Sequence, residues 1–278
     1  MIASISSSFS SPRLRKLALA MTALVALTLI AAALYQFAFV NPKFFSYAME
    51  LRAPRLIVML TAGFSISAAA IVFQTIIRNN IVTPCLLGMN SLYLLIHTAV
   101  VFFFGSGSQF ATNPVMAFAV DIVLMGVIAT FIYYSIFKKT GGNVLYVLLI
   151  GTVLSTFFSS MQNSLTRIMD PNEYDALLNT LVASFTNVNM ACIIPGILIL
   201  VLIALWLRKD IAILDIISLG RDQAISLGVD YERVLRRLMV GVALYIAVAT
   251  ALVGPLSFLG LITANVARQV FTTYRHTY

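Results

Sequence analysis

Residues 51–77 read LRAPRLIVMLTAGFSISAAAIVFQTII. From Leu56 to Ile77 no side chain carries a charge. As a helix those 22 residues reach roughly 33 Å, and the hydrocarbon core of a bilayer is about 30 Å thick. The stretch therefore predicts a membrane-crossing helix, and the rest of the chain agrees with it. Over 278 residues the composition is 60% hydrophobic and 10% charged, with a mean hydropathy of +0.97. Soluble domains are closer to half apolar and a quarter charged. That balance excludes a secreted globular enzyme, a disordered protein and a nucleic-acid module.

Working outward, eight apolar segments are long enough to propose as spans: 17–40, 56–77, 84–104, 114–137, 144–163, 190–207, 232–253 and 256–271. The last is short and carries Pro255 and Gly260. The first follows Arg13, Arg15 and Lys16, as a signal peptide would, but its apolar run of about 24 residues is too long for a signal core of roughly 7 to 15. It reads as a retained helix. The fold class expected is an all-α, polytopic helical bundle forming one domain over 1–278, with residues 1–16 as a loose tail.

The net charge of +8 has a direction. With the N-terminus inside, fourteen of the 18 Lys and Arg residues fall on the cytoplasmic side, and only Lys43, Arg52, Arg55 and Arg167 fall outside. This is the bias of the positive-inside rule, and it predicts both termini in the cytoplasm.

Chemistry-bearing motifs are scarce. The dipeptide Gly-Lys does not occur, so the chain holds no P-loop for ATP. It has no H-E-x-x-H and no G-x-S-x-G. Cys85 and Cys192 have no ligand-spaced neighbours and read as small apolar residues. Of the two histidines, His276 lies in the tail, and His97 falls within a span and reads as a packed or hydrogen-bonded residue and not a ligand. Polar groups inside spans are costly and each needs an account. They are Gln74, Asn90, His97, Asp121, Gln162, Asn163 and Asn265. Asp121 reads either as a proton or ion site or as a carboxylate facing the bundle interior or a wet cavity near the interface. Small residues at four-residue spacing, Gly63 with Ser67 and Ala243 with Ala247 and Ala251, read as helix-packing positions.

Two segments carry more than a span needs. Arg52 and Arg55 flank Pro54 ahead of the second span. Pro54 suits the first turn of a helix, and the arginines either anchor at the interface or pair with carboxylates of a docking partner. Residues 211–230, IAILDIISLGRDQAISLGVD, hold two short apolar-polar stretches broken at Gly220 and ended at Gly228. Such stretches lie on a membrane surface or enter a groove of a partner.

These residues resemble the FecCD family, the permeases of ABC importers for ferric siderophores, haem and cobalamin. The first block matches at Arg52, Pro54, Arg55, Gln74, Asn80, Pro84 and Gly88. The second matches at Ser218, Leu219, Gly220, Ala224, Leu227 and Gly228, and the third at Gly254, Pro255, Phe258, Gly260, Leu261 and Arg268. The region TRIMDPNEYDALLNTLVASFTNVN is similar to the subgroup with two different permease subunits, for siderophores of the anguibactin or petrobactin type. Two features depart from the family. Ala264-Asn265 stands where Pro-His is usual, and the family's ten helices run further than Tyr278, which implies a C-terminally shortened copy.

The resemblance implies a ferric-siderophore permease subunit of a bacterial plasma membrane, not itself an enzyme. It binds no cofactor or metal, since ATP and Mg belong to a separate ATPase dimer. A sister permease in a heterodimer and an extracytoplasmic binding protein complete the assembly. Arg52 and Arg55 would dock the binding protein. Ser218, Leu219, Gly220, Ala224, Leu227 and Gly228 would couple to the ATPase, which favours partner docking for 211–230. The alternatives are an ion-coupled carrier using Asp121, a haem or cobalamin permease, and an intramembrane enzyme, for which the spans lack a nucleophile–base set.

Overall fold

The computed structural model describes residues 12–141, 143–186 and 188–271. Most of the expected N-terminal tail, Arg275 and His276 lie outside the described residues. Eleven α-helices occur among them, and no strand. They are α1 (Pro12–Phe37), α2 (Phe45–Ile77), α3 (Asn90–Phe104), α4 (Gln109–Thr112), α5 (Pro114–Thr140), α6 (Val144–Ile168), α7 (Pro171–Leu181), α8 (Met190–Ile217), α9 (Arg221–Ser226), α10 (Tyr231–Val253) and α11 (Leu259–Val270).

Local chemistry explains most helix starts. Asn113, Asn143, Asp170, Asn189 and Asp230 each accept a backbone N–H from the first turn that follows. Short polar side chains satisfy the donors that a helix start leaves orphaned. Pro114 and Pro171 then occupy first-turn positions, where a missing N–H costs nothing.

Among the described residues, seven helices are long and apolar enough to cross a membrane. This is a multi-pass membrane protein, and α10 is its hub. Of the apolar window in α10, 72% is buried, against 0% in α1, which lies on the periphery. α10 packs on α2, α5 and α8, while α3 packs on α6. The hydroxyl of Ser65 donates to the carbonyl of Tyr245 at 2.8 Å, so α2 and α10 meet backbone to side chain.

Three expectations are corrected. The eighth span is replaced by α11, 12 residues long and about 18 Å, too short to cross alone. It starts beside Ile66 and Ala70, midway along α2, and ends where Arg268 donates to Asn80 Oδ1 at 2.5 Å. The chain thus turns back within the bundle. Second, Pro54 does not open a helix: α2 begins at Phe45 and contains Pro54. Proline's fixed φ suits a helix, and the structure tolerates the one lost N–H. Third, residues 211–217 are not a separate stretch but the end of α8. Asp210 faces Arg237 at 3.2 Å, so the charged turn continues the helix instead of breaking it.

Small residues do set close approaches, though not where Gly63 suggests: a Cβ there would meet nothing within 4 Å. Ser67 instead bonds Thr263 Oγ1 of α11 at 2.7 Å. Gly88 is the tight point. It lies in a π-type turn, Cys85–Met89, at φ 101°, and a Cβ would fall 3.0 Å from the Cα of Ser155 in α6. Tyr133 Oη donates to the Leu87 carbonyl of that turn at 2.6 Å.

Gly88→Ala is expected to cost about 2 kcal/mol, from left-handed strain plus the clash with α6. Gly63→Ala should change nothing measurable. Thermal unfolding of both variants in one detergent checks this, and equal melting temperatures would refute the account.

Candidate functional site

The two segments singled out in the sequence lie at opposite ends of the bundle, Arg52 and Arg55 at one and residues 211–230 at the other. At the first, Arg52 reaches back to α1. Its Nη1 donates to the carbonyls of Tyr35 and Ala38, both at 2.9 Å, and lies 3.4 Å from that of Gln36. These are C-terminal carbonyls that a helix leaves unsatisfied, and a cation suits that end of its dipole. Arg55 is half-buried three residues on, with no ion pair among the described residues. The two arginines therefore have different surroundings, which their spacing did not reveal. Beside this end α7 lies over α3, burying Leu177 and Met169 against Val101. Glu173 of α7 accepts the N–H of Ser106.

At the opposite end, Ser218, Leu219 and Gly220 form the break between α8 and α9. Gly220 adopts φ 110°, ψ 167°, a backbone that favours glycine. Ser218 Oγ closes on the Asp215 carbonyl at 2.7 Å. Ala224 is fully buried and holds α9 to the bundle, while Leu219, Ile225 and Leu227 are at least half exposed. Gly228, at φ 82°, ends the segment. The exposed apolar side chains thus flank a short helix that one buried alanine anchors.

Between the ends, most of the intramembrane polar residues have partners. His97 Nδ1 and Asp121 Oδ2 lie 3.0 Å apart, joining α3 to α5, with side chains 14% and 5% exposed. The ring of Tyr93 stacks on His97, centroids 5.9 Å apart. Asp121 is thus turned into the bundle interior, the second of its two readings. Gln74 and Asn265 both donate to the Asn80 carbonyl, at 2.8 and 3.3 Å, and Asn90 donates to Ser257 Oγ at 3.1 Å. Among the described residues no three His, Cys, Asp or Glu side chains gather to hold a metal ion.

One feature escaped the sequence reading. Thr152, Thr156, Ser160 and Asn163 form an exposed stripe along α6, and a groove of about 430 Å³ runs past the first three. Their spacing of four, four and three residues was the available signal. A serine or threonine is cheap inside a span because its hydroxyl bonds the preceding turn, as Thr156 does to the Thr152 carbonyl. Such a stripe therefore carries little signal in a sequence.

Removing one member of the His97–Asp121 pair should cost about 3 kcal/mol, because the other is left buried and unpaired. The double variant His97→Phe with Asp121→Leu should recover more than half of the loss seen in Asp121→Leu alone. A double-mutant cycle by detergent unfolding measures it, and strictly additive losses would refute the coupling.

The comparisons with known proteins agree with this architecture. The model of the FecCD transport family matches residues 16–278. The petrobactin import system permease protein YclO of Bacillus subtilis is 36% identical over 232 residues, covering 84% of this chain and 74% of the relative. The petrobactin import system permease protein FatC of Bacillus anthracis is 32% identical over 241 residues, covering 86% and 67%. Among solved structures, an inward-facing conformation of a metal-chelate type ABC transporter superposes with a TM-score of 0.71 at 22% identity, covering 93% of this chain and 82% of that one. That likeness speaks for the fold. With a family match over nearly its whole length and relatives above 30% identity, the chain belongs to the FecCD transport family.

Proposed function

We propose that this chain is a permease subunit of an ABC importer for ferric-siderophore complexes, of the petrobactin type carried in the names of its relatives. The observation that carries the reading is α9. Its exposed Ile225, with Leu219 and Leu227 flanking it, offers an apolar docking surface at the end of a membrane bundle that has no nucleotide motif of its own. ATP and Mg then sit on a separate ATPase dimer, which closes on ATP and displaces α9. A second, different permease chain completes the path, and the polar stripe of α6 faces it. No side chain here performs covalent chemistry. The bundle needs only two packings whose relative populations the ATPase shifts.

By this reading the 211–230 end is cytoplasmic, as is the N-terminus, in a bacterial plasma membrane. Fourteen of the 18 Lys and Arg residues support that orientation. The opposite end receives the siderophore-binding protein. Arg55 supplies the free guanidinium for carboxylate pairing there, and Arg52 holds the α1 end in place beside it.

The test is ATP hydrolysis by the reconstituted complex with and without binding protein loaded with ferric petrobactin. Stimulation supports the importer; a stable complex that loaded binding protein never stimulates refutes it. Arg55→Glu should weaken binding-protein affinity about tenfold, or 1.4 kcal/mol, by placing like charges together. Unchanged affinity in a pull-down would remove Arg55 from the docking face. Leu219→Asp should abolish co-purification of the ATPase while the permease remains folded, and normal co-purification would remove α9 from that interface.

A further inference from the structure

We infer that Arg78 is the positioning residue through which movement of the 211–230 segment reaches α2. The inference rests on the proposed contact of that segment with an ATPase. Arg78 ends α2 in the left-handed region, φ 57°, ψ 37°, with its N–H directed at the carbonyls of Gln74 and Thr75. A residue bearing a Cβ seldom adopts that backbone. Here it accompanies a side chain that lies beneath the next segment. A Cβ built on Gly220 would fall 2.9 Å from Arg78 Nη1 and 3.5 Å from its Cζ. The guanidinium therefore lies against the backbone of Gly220, at the break between α8 and α9.

Gly220 adjoins Arg221, which reaches the first turn of α10. Arg221 and Glu232, 3.4 Å apart, tie α9 to α10 beside it. Arg78 thus occupies a junction of three pieces: the end of α2, the Gly220 break and the start of α10. No carboxylate pairs with it among the described residues, so its contact with Gly220 is one of shape. A planar, rigid guanidinium suits that use better than a flexible ammonium.

The far side of the junction is stiff. The loop after Arg78 is held at Asn80, whose carbonyl accepts from Gln74 at 2.8 Å and whose Oδ1 accepts from Arg268 at 2.5 Å. A push on Arg78 is therefore passed to α2 and α11 instead of being absorbed by the loop. α2 then runs unbroken for 33 residues, about 50 Å, with Arg55 toward its other end. One helix joins the two functional ends, and Arg78 is where the 211–230 segment grips it.

The test compares wild type, Arg78→Ala and Arg78→Lys in the complete complex in nanodiscs. Arg78→Ala should retain ATPase co-purification and basal hydrolysis, yet lose stimulation by ferric-petrobactin-loaded binding protein about fivefold. Arg78→Lys should recover less than half of that loss, because it restores the charge but not the plane. Spin labels at positions 81 and 226 give a second readout. In wild type their separation should stay constant when ATP is added, since both ends move together. In Arg78→Ala it should change by about 2 Å, the scale of helix shifts in such transitions. Full stimulation of Arg78→Ala, or a constant separation in it, overturns the inference while leaving the importer reading intact. Loss of ATPase binding in Arg78→Ala also overturns it, because the residue would then belong to the docking surface. A wild-type chain that binds no ATPase overturns both.

Discussion

Inside a bilayer core, water supplies no hydrogen bonds, so every backbone polar group must be satisfied by the protein itself. The architecture follows from that constraint. Helices satisfy it within themselves, and the informative places are where a helix stops. At the Cys85–Met89 turn the Leu87 carbonyl takes the Tyr133 hydroxyl. At the return between α10 and α11 the Val253 carbonyl takes the N–H of Ser184 from the loop before α8. At the end of α1 the carbonyls of Tyr35 and Ala38 take Arg52. At the end of α2 the Asn80 carbonyl takes Gln74 and Asn265. At each of these breaks a polar side chain or a backbone N–H from elsewhere in the chain meets a backbone carbonyl.

That distribution is also a mechanical layout. Long helices transmit displacement, and breaks are where displacement enters or leaves. α2 packs against α8, α10 and α11, with Arg55 toward one end and Arg78 at the other. The return helix α11 is fastened to α2 twice, by Ser67 with Thr263 and by Asn80 with Arg268. A bundle arranged this way alternates between packings as connected rigid pieces, as close-packed interiors require.

The one carboxylate that the sequence places deep in a span has a similarly local account. Asp121 faces His97 and is almost wholly buried. Its desolvation is offset by that partner across the α3–α5 contact, which fastens two helices together. An ion-coupled carrier would need an intramembrane carboxylate available to its ion, and the geometry of Asp121 gives no such opening.

Much was legible in the sequence by itself. Long apolar runs announce crossings because hydrocarbon excludes charge, and asparagine or aspartate before a run announces its start because a cap must accept the orphaned N–H groups. The spans read from 114, 144 and 190 begin where α5, α6 and α8 begin, and the structure shows Asn113, Asn143 and Asn189 capping them. The breaks at Gly220 and Gly228 were visible because positive φ favours glycine. What only the tertiary structure decided were the pairings across the chain. Residues 256–271 look like one more span until α11 is seen to lie against the middle of α2. Arg52 and Arg55 look equivalent until the end of α1 claims one of them. Arg78 looks like an ordinary end-of-helix cation until Gly220 is found above it. Each depends on a neighbour tens to well over a hundred residues away along the chain, or on where a preceding helix ends, and local composition and periodicity carry no record of such neighbours.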